Sequence, residues 1–520
     1  MIYGDDITIA TLLDRRQRET PDHVYLRFEG AELTCDGLVR QVNRIANALL
    51  SMGLKPGDRV ATMLRNGPAH VSLMLALMRT GIVWVPINYH LRGSSLEFLL
   101  EHSDPSLLVV MTEFRDLVSE AAPARMERVL LVESDSGIEP AILAAAAAAA
   151  CETAPPVSIG PDDPVCISYT SGTTGVPKGV LMTDRMYRTC AAGMQHILPR
   201  EKDAVLFMWE PLHHNAGNQV PIYALAEPVT IALHARFSAS RFWSQASEAK
   251  ARYAHYIGGV LQLLLKQPVT PAETAHQVSV AWGGGCPGEI WEQVRARFGV
   301  RLHEVWGMTE TSSITTANLD GPVGSIGKAL PHAEVRIRRI DGSGWTEPGE
   351  PGEMVVKALV KGVLTPGYFR NPEATAALYD GEWLRTGDKA FADADGNIFF
   401  LGRIKDSVRR RGENVSAWEV ERVLNEHPAV VESAIVGVPT DIGEEDIKAF
   451  IRVKPDHRFD PGEFIRWCSD KMAYYQIPRY VETIEAFDVT ATKRIRKETL
   501  SRATSGCWDR EAHGFMLKGG

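Results

Sequence analysis

Hydroxyl, glycine and lysine residues are concentrated in the segment SYTSGTTGVPKGV, which spans residues 168–180. Glycine permits backbone conformations that place successive N–H groups on one concave side, and hydroxyl groups and a lysine add donors and positive charge. Apolar runs, CISY and GVLM, flank the segment, as strands flank many phosphate loops. The segment therefore predicts a polyphosphate-binding loop that uses Ser171, Gly172, Thr173, Thr174, Gly175 and Lys178.

The spacing within this loop differs from that of a Walker A motif. A Walker A motif needs Gly-x-x-x-x-Gly-Lys-Ser/Thr, whereas this sequence has Gly172-Thr-Thr-Gly175-Val-Pro-Lys178-Gly179. The difference disfavours a P-loop NTPase and leaves another class of nucleotide-binding protein.

The loop closely resembles that of the adenylate-forming superfamily, which includes acyl- and aryl-CoA synthetases, adenylation domains of peptide synthetases and luciferases. Further segments of that superfamily follow in order: EPLHHNAG (210–217), AWGGGCP (281–287), VWGMTE (305–310), GEWLRTGD (381–388) and LGRIKDSVRRRGENVSAWEVE (401–421). The resemblance covers nearly the whole chain and favours the acyl-CoA ligase branch. The ending CWDREAHGF (507–515) resembles bacterial proteins described as crotonobetaine/carnitine-CoA ligase-like.

The resemblance implies an ATP-dependent carboxylate–CoA ligase that forms an acyl-adenylate, releases pyrophosphate, then forms a thioester with CoA and releases AMP. Residues Thr170 to Lys178 would hold the β- and γ-phosphates, and Thr309 and Glu310 would contact the α-phosphate, with Glu310 as ligand of Mg²⁺, a cation that prefers oxygen. Such phosphoryl chemistry depends mainly on positioning and charge neutralisation. The implied cofactors are ATP, Mg²⁺ and coenzyme A.

The nucleoside of ATP is expected against several of the same segments. Trp306 stands where the superfamily usually has tyrosine, so we expect its ring to stack on adenine, with the run Gly283, Gly284 and Gly285 allowing backbone close to the base. Gly284 and Gly307 are predicted to belong to the same ATP site. Asp388 matches the aspartate that accepts hydrogen bonds from the ribose hydroxyls, and Arg403 matches a second ribose or phosphate contact.

The resemblance also implies a mobile C-terminal domain with a hinge at Lys405, so we predict domains over residues 1–404 and 405–520. In the superfamily, a lysine from a Thr-x-Thr-Gly-Lys loop bridges the substrate carboxylate and the α-phosphate. Here the loop is TATKRIRK (490–497), with Lys493 at the glycine and Arg494 at the lysine. Arginine has a different shape from lysine, so either residue is a candidate, or adenylation is slow.

The acyl pocket is predicted from the segments that flank the nucleotide motifs, at His213, His214, Tyr256, Gly259, Trp282 and Gly283. Glycines and aromatic rings there suit a compact acid, such as one with a ring or a quaternary ammonium group. Two adjacent histidines do not make a metal site without further ligands, and a gate or packing role for His214 is favoured. For CoA, the candidates are Arg410, within a run of three arginines, and Gly412 and Glu413.

Alternating apolar runs and helix-length segments must position these residues. A βαβ unit is predicted from strands over 58–64 and 82–87 and a helix over 70–78, and similar runs follow up to residue 282, which indicates mainly parallel sheets. After residue 321 the pattern becomes β-rich, and after 403 it predicts a small α+β domain. The expected fold is therefore α/β, and the alanine run 141–150 is predicted to be a helix without function.

Composition limits the other classes of function. The net charge of −9 disfavours a nucleic-acid groove, and seven scattered cysteines without a Cys-x-x-Cys pair fit a reducing cytoplasm rather than a disulfide framework or zinc site. Neither a signal peptide nor a membrane span is expected. The predicted partners are a small carboxylic acid and CoA, and a homodimer stays one option.

Three alternatives share these motifs. The protein would load an acyl group onto a separate carrier protein if a pantetheinylated protein, and not CoA, is the acceptor. A non-catalytic nucleotide-binding homologue would bind ATP without pyrophosphate release, which Arg494 leaves open. A luciferase-type oxygenase would emit light with a luciferin, because the fold alone does not fix the second half-reaction.

Overall fold

The computed structural model describes residues 2–133, 151–170, 177–257, 259–286, 288–404, 407–441, 443–455, 457–488, 495 and 497–515. In that part of the chain the strands form sheets of six, nine, five and four strands and one two-stranded hairpin. The first three sheets belong to a large N-terminal domain and the others to a small C-terminal domain. The α/β class predicted from the sequence is confirmed.

The six-stranded sheet contains the predicted βαβ unit. Its neighbouring strands are parallel except for the last pair, which is antiparallel and brackets the predicted phosphate loop. In spatial order the strands are Val129–Val132, Leu107–Met111, Arg59–Met63, Val83–Pro86, Pro164–Thr170 and Lys178–Thr183. The helix of the unit, Pro68–Thr80, is buried along its whole length because its Leu, Met and Ala side chains leave no polar face.

The nine-stranded sheet has a parallel centre and antiparallel edges. In spatial order its strands are Lys328–Ala329, Thr316–Asn318, Arg301–Trp306, Val280–Gly284, Tyr253–Ile257, Val205–Met208, Thr230–Leu233, Val24–Phe28 and Ala31–Thr34. The carboxyl ends of its central strands carry the glycine run and Trp306, and ligands of open α/β sheets bind at such ends.

The β-rich subdomain and the C-terminal domain follow the predicted pattern. The five-stranded sheet is antiparallel and contains Ala333–Arg338, Gly352–Ala358, Trp383–Ala392, Tyr379–Asp380 and Ile398–Arg403. The hairpin Ser407–Arg410/Glu413–Ser416 opens the C-terminal domain, whose sheet contains Val430–Pro439, Glu445–Val453, Tyr480–Thr483 and Trp508–Asp509. The small domain has its own apolar core, centred on residues such as Leu424, Ile447 and Phe464.

Helices cover both large sheets and pack on the C-terminal sheet. The α-helices of the described residues are Ile9–Glu19, Cys35–Ser51, Pro68–Thr80, Gly93–Ser103, Arg115–Ala121, Asp184–Ile197, Asn215–Ala226, Phe242–Glu248, Val260–Leu265, Ala272–Ala275, Gly288–Phe298, Pro372–Leu378, Ala417–Asn425 and Pro461–Ser469. None of these helices is both long enough and apolar enough to traverse a bilayer. The alanine run predicted as a helix lies outside the described residues.

Candidate active site

One large cavity, of about 3020 Å³, lies between the N-terminal and C-terminal domains. Residues predicted for the nucleotide, such as Lys178 and Asp388, line it together with residues predicted for the acyl group and for CoA, such as His214 and Glu413. The fold thus brings segments that are far apart in the sequence to one space.

On the nucleotide side, Tyr368 connects Lys178 to Glu310. The Lys178 Nζ atom lies 5.0 Å from the centroid of the Tyr368 ring, and the Tyr368 hydroxyl donates a hydrogen bond of 2.9 Å to Glu310 Oε1. Glu310 is buried within the 3₁₀ turn Thr309–Thr311. Tyr368 therefore lies against both the amine of Lys178 and the carboxylate of Glu310.

Trp306 and Asp388 form a second fixed pair on this side. The Trp306 indole Nε1 donates a hydrogen bond of 3.0 Å to Asp388 Oδ2, and the backbone of Asp388 pairs with that of Arg403 across two strands. Asp388 is 2% exposed, and Trp306 packs against the small apolar core that contains Ile326 and Ile337. The indole thus orients a carboxylate that the sequence analysis linked only to ribose.

The loop after the strand Val280–Gly284 is held by Glu304. Its Oε1 atom accepts hydrogen bonds from the backbone N–H groups of Gly285, at 2.5 Å, and Cys286, at 3.1 Å, and Oε2 accepts one from the Tyr256 hydroxyl. Burial raises the pKa of Glu304 to about 7, although each of these hydrogen bonds lowers it. Glu304 therefore fixes the backbone beside the predicted adenine position.

The acyl side of the cavity contains a buried pair of a histidine and a glutamate. His255 Nδ1 and Glu210 Oε1 are in direct contact, and the His255 ring centroid lies 4.2 Å from that of Trp282. The indole of Trp209 donates a hydrogen bond of 3.0 Å to the His255 carbonyl oxygen. Within the described part of the chain, Glu210 Oε2 and Trp282 Nε1 are buried without a hydrogen-bond partner. An acceptor and a donor are thus left for a ligand.

The C-terminal domain reaches this region through Glu413. Its Oε1 atom lies 2.7 Å from Nε2 of His214, and the His214 ring centroid lies 4.4 Å from that of His213. Burial lowers the pKa of His214, but the charge and hydrogen bond of Glu413 outweigh burial, so the net pKa is raised. Burial lowers the pKa of His213 well below its ordinary value.

Two further contacts join the domains. Glu444 Oε1 accepts hydrogen bonds from the backbone N–H groups of Gly259, at 2.8 Å, and Gly412, at 2.9 Å. The Asn88 side chain donates a hydrogen bond of 2.8 Å to the Tyr475 hydroxyl. Three separate polar contacts therefore hold the C-terminal domain in its position beside the acyl side.

Comparison with known proteins decides the family. The family model described as AMP-binding enzyme matches residues 13–369, and that of the AMP-binding enzyme C-terminal domain matches residues 419–494. The chain is a member of the AMP-binding enzyme family. The superfamily predicted from the motifs is thereby confirmed.

Proteins similar to this AMP-binding enzyme include CoA ligases. The crotonobetaine/carnitine–CoA ligase of Salmonella typhi is 30% identical over 505 residues, which cover 92% of this chain and 96% of the relative. A double mutant of o-succinylbenzoate-CoA synthetase from Bacillus subtilis, bound to the product analogue OSB-NCoA, has a TM-score of 0.83 at 25% identity, over 94% of this chain and 97% of that chain. The same synthetase with its acyl-adenylate intermediate has a TM-score of 0.67 at 26% identity, over the same shares.

These relationships establish an AMP-forming acid–thiol ligase, and ligases of the AMP-binding family use ATP and CoA. The residues on the nucleotide side fit a magnesium nucleotide. Glu310 and Thr309 offer oxygen ligands of the kind Mg²⁺ prefers, and Lys178 offers positive charge to phosphate. Carboxylate–CoA ligation is therefore the reaction class of this AMP-binding enzyme.

Two residues predicted for the acyl pocket of the AMP-binding enzyme lie elsewhere. Successive side chains of a strand point to opposite faces, so Tyr256 packs into the core while its neighbour His255 lines the cavity. A Cβ atom on Gly283 would lie 1.8 Å from the Tyr256 carbonyl oxygen, so Gly283 permits close strand packing. Tyr256 and Gly283 therefore do not line the cavity, whereas His213, His214, Gly259 and Trp282 do.

The contact between Arg410 and CoA stays a prediction, and the contacts that the structure describes for Arg410 lie within the small domain. Arg410 is 2% exposed, its Nε atom lies 2.8 Å from Asp446 Oδ1, and its guanidinium also donates to the carbonyl oxygen of Ile477. Burial lowers its pKa to about 10. The charge run therefore contains an arginine that braces the small domain internally, and Arg411 beside it is exposed.

Other predicted residues of this AMP-binding enzyme fall outside the described residues. They are Ser171, Gly172, Thr173, Thr174 and Gly175 of the phosphate loop, the hinge Lys405, and Lys493 and Arg494. Sequence analysis did not identify Tyr368, Glu304 or the cavity pair Glu210 and His255. Glu210 opens the quoted segment EPLHHNAG, so its position beside the two histidines was the available signal.

Proposed function

We propose that the protein joins a compact carboxylic acid to coenzyme A in two steps that share one cavity. The observation that carries this proposal is the contact between His214 and Glu413, at 2.7 Å, in the cavity that also contains Lys178, Glu310 and Asp388. A residue of the small domain thereby meets the acyl side while the nucleotide side stays within the large domain.

In the first step, the ionised substrate carboxylate attacks the α-phosphorus of ATP, an acyl–phosphate bond forms, and pyrophosphate leaves. A carboxylate is already nucleophilic at pH 7, so no general base is needed. Lys178 and Thr170 act on the phosphates, Glu310 and Thr309 on the α-phosphate, and Asp388 on the ribose. Magnesium, when bound by Glu310, neutralises phosphate charge.

In the second step, the CoA thiol loses its proton to solvent and attacks the acyl carbon, the thioester forms, and AMP leaves with the electron pair of the broken bond. The position of the small domain supports assignment of this structure to the second step. The Bacillus synthetase is more similar to this chain with its product analogue, at a TM-score of 0.83, than with its acyl-adenylate, at 0.67. Gly412 and Glu413 would then line the path of the thiol.

The first step needs the small domain in another position, reached by rotation at Lys405. In that position Lys493 or Arg494 would bridge the carboxylate and the α-phosphate. Replacing each by alanine distinguishes the two candidates. Loss of the catalytic side chain should impair pyrophosphate release and leave thioester formation from a supplied acyl-adenylate largely intact. Retention of full adenylation by both variants would remove this loop from the mechanism.

The acyl side favours a short acid with a cationic or hydrogen-bonding end. Glu210 carries a buried carboxylate oxygen without a partner among the described residues, and Trp209 and Trp282 supply aromatic faces that attract ammonium groups. The name of the Salmonella relative makes betaine-like acids the first class to test. A neutral long-chain acid would leave Glu210 unpaired, which costs binding energy.

The deciding experiment is pyrophosphate release from ATP and Mg²⁺ with short-chain, aromatic and betaine-like acids, with and without CoA. Release with one acid class, and product thioester only when CoA is present, is expected. Release of pyrophosphate without any thioester on CoA would instead favour a carrier protein as acceptor. Binding of ATP without release for any acid would contradict the proposed ligase.

A further inference from the structure

Three side chains of metal-binding type converge where the two domains meet. His213, His214 and Glu413 each offer one ligand atom, and these atoms lie within 4.8 Å of one another. The sequence alone offered two adjacent histidines, which are insufficient. The fold supplies a third ligand from a residue 199 positions after His214.

His213 is the least satisfied member of this trio. The residue is 8% exposed, and within the described part of the chain neither of its ring nitrogens has a hydrogen-bond partner. Buried polar atoms in folded proteins are almost always paired, so each unpaired one requires an explanation. One ring nitrogen of His213 lies within 4.8 Å of the ligand atoms of His214 and Glu413 and is available to a cation.

The donor set indicates which cation. Two imidazole nitrogens and one carboxylate oxygen are the protein ligands of many open zinc sites, which keep a fourth position for water. Magnesium prefers oxygen ligands alone, so the Mg²⁺ needed for the nucleotide does not compete effectively here. All three residues line the main cavity, from which water can fill the fourth position.

We propose that His213, His214 and Glu413 form a Zn²⁺ site that bridges the two domains and inhibits turnover. The two histidines belong to the large domain and Glu413 to the small one, so the three ligands meet only while the domains are in this position. Binding of Zn²⁺ therefore stabilises this position relative to any other. The site itself stands on this geometry, whereas its effect on turnover rests on the proposed two-step function.

Inhibition follows because the ligase must leave this position to form each new acyl-adenylate. The hydrogen bond between His214 and Glu413 opens readily in water, but two metal bonds in its place do not. Zinc should thus slow pyrophosphate release in repeated turnovers. Because zinc would replace the hydrogen bond between His214 and Glu413 and would lie on the proposed path of the thiol, it should also slow thioester formation from a supplied acyl-adenylate.

Zinc binding is measured first, on the full chain with excess Mg²⁺, by competition with a chromophoric chelator. We expect one Zn²⁺ per wild-type chain and affinity lower by more than about tenfold in His213→Ala and in Glu413→Gln, since even loss of an outer contact costs about tenfold. His457→Ala, at an exposed histidine, is the matched control and should bind like wild type. Equal binding by wild type and Glu413→Gln, or no binding by wild type, overturns the site.

The effect on turnover is measured second, as pyrophosphate release with and without Zn²⁺. Zinc should slow wild type, and the Glu413→Gln variant should resist it even if its uninhibited rate is lower. Equal inhibition of both proteins would overturn the inhibitory role. If no acid supports pyrophosphate release, the proposed function fails, but the chelator assay still decides whether the zinc site exists. The unfolding midpoint of each variant verifies that the variant is folded.

Discussion

The two sides of the cavity are built in different ways. On the nucleotide side, Lys178, Tyr368 and Glu310 form one connected group, and Trp306 and Asp388 form another, all within the large domain. On the acyl side, some contacts lie within the large domain, whereas others join the two domains, as between His214 and Glu413 or Gly259 and Glu444.

We call the nucleotide side the permanent side, because its contacts lie within one domain. We call the acyl side the conditional side, because some of its contacts require both domains. Contacts within one rigid domain are kept through every step, so they are preorganised for the charge that develops on phosphate. In the proposed two-step function, contacts between domains exist in one arrangement and would distinguish the two half-reactions. Substitutions on the two sides should therefore have different kinetic effects.

The largest effect is expected on the permanent side. Glu310→Ala removes a buried carboxylate that Tyr368 orients, and should lower pyrophosphate release by about 100-fold or more, as the loss of a preorganised charged group does. Glu382→Ala, at an exposed glutamate, should leave the rate unchanged. Near-wild-type release by Glu310→Ala would remove Glu310 from the phosphate site.

The pH dependence of stability tests the anchor of the glycine loop. Since the pKa of folded Glu304 is about 7 and its ordinary value is 4.5, the folded state holds the proton more tightly. Its contribution is complete below pH 4.5 and is lost as pH rises through 7, by about 3 kcal/mol in total.

Glu304→Gln should therefore flatten the decline of the unfolding free energy between pH 5 and pH 8, measured by denaturant titration. Glu347→Gln, at an exposed glutamate, serves as the control and should keep the wild-type slope. An unchanged slope in Glu304→Gln would show that this carboxyl titrates normally.

On the conditional side, Glu413→Gln keeps the shape of the side chain and removes its charge. A charge-assisted hydrogen bond to His214 becomes a neutral one, so thioester formation from a supplied acyl-adenylate should slow by roughly tenfold. Pyrophosphate release in a single turnover should stay the same. Glu432→Gln changes a carboxylate elsewhere in the small domain, serves as the control and should alter neither step. Equal loss of both steps in Glu413→Gln would contradict the division between a permanent and a conditional side.

The smallest effect is expected from Tyr475→Phe. This variant loses one neutral hydrogen bond from Asn88, which contributes about 1 kcal/mol, so the thioester step should slow by roughly fivefold. Asn88→Ala should have a similar effect, and the double variant should add little to either single variant. Additive losses would mean that the two side chains act separately.

The sequence predicted more of the fold than of the conditional side. The strands predicted over 58–64 and 82–87 contain the observed strands Arg59–Met63 and Val83–Pro86, because apolar runs between turns identify buried strands. The face to which Tyr256 points depends on strand register within the sheet, which a short apolar run does not reveal. The burial of Arg410 and the proximity of Glu413 to two histidines depend on tertiary packing, which charge and spacing do not encode.

Glu444 has a consequence for protein engineering. Its carboxylate accepts N–H groups from Gly259 in the large domain and from Gly412 in the small one. If the small domain of one homologue replaced that of another, Glu444 would come from the donor protein. Its partner Gly259 would come from the recipient protein. Chimeras that preserve the backbone around Gly259 should keep the contact between the transplanted small domain and the large domain. Chimeras that insert or delete residues there should lose it.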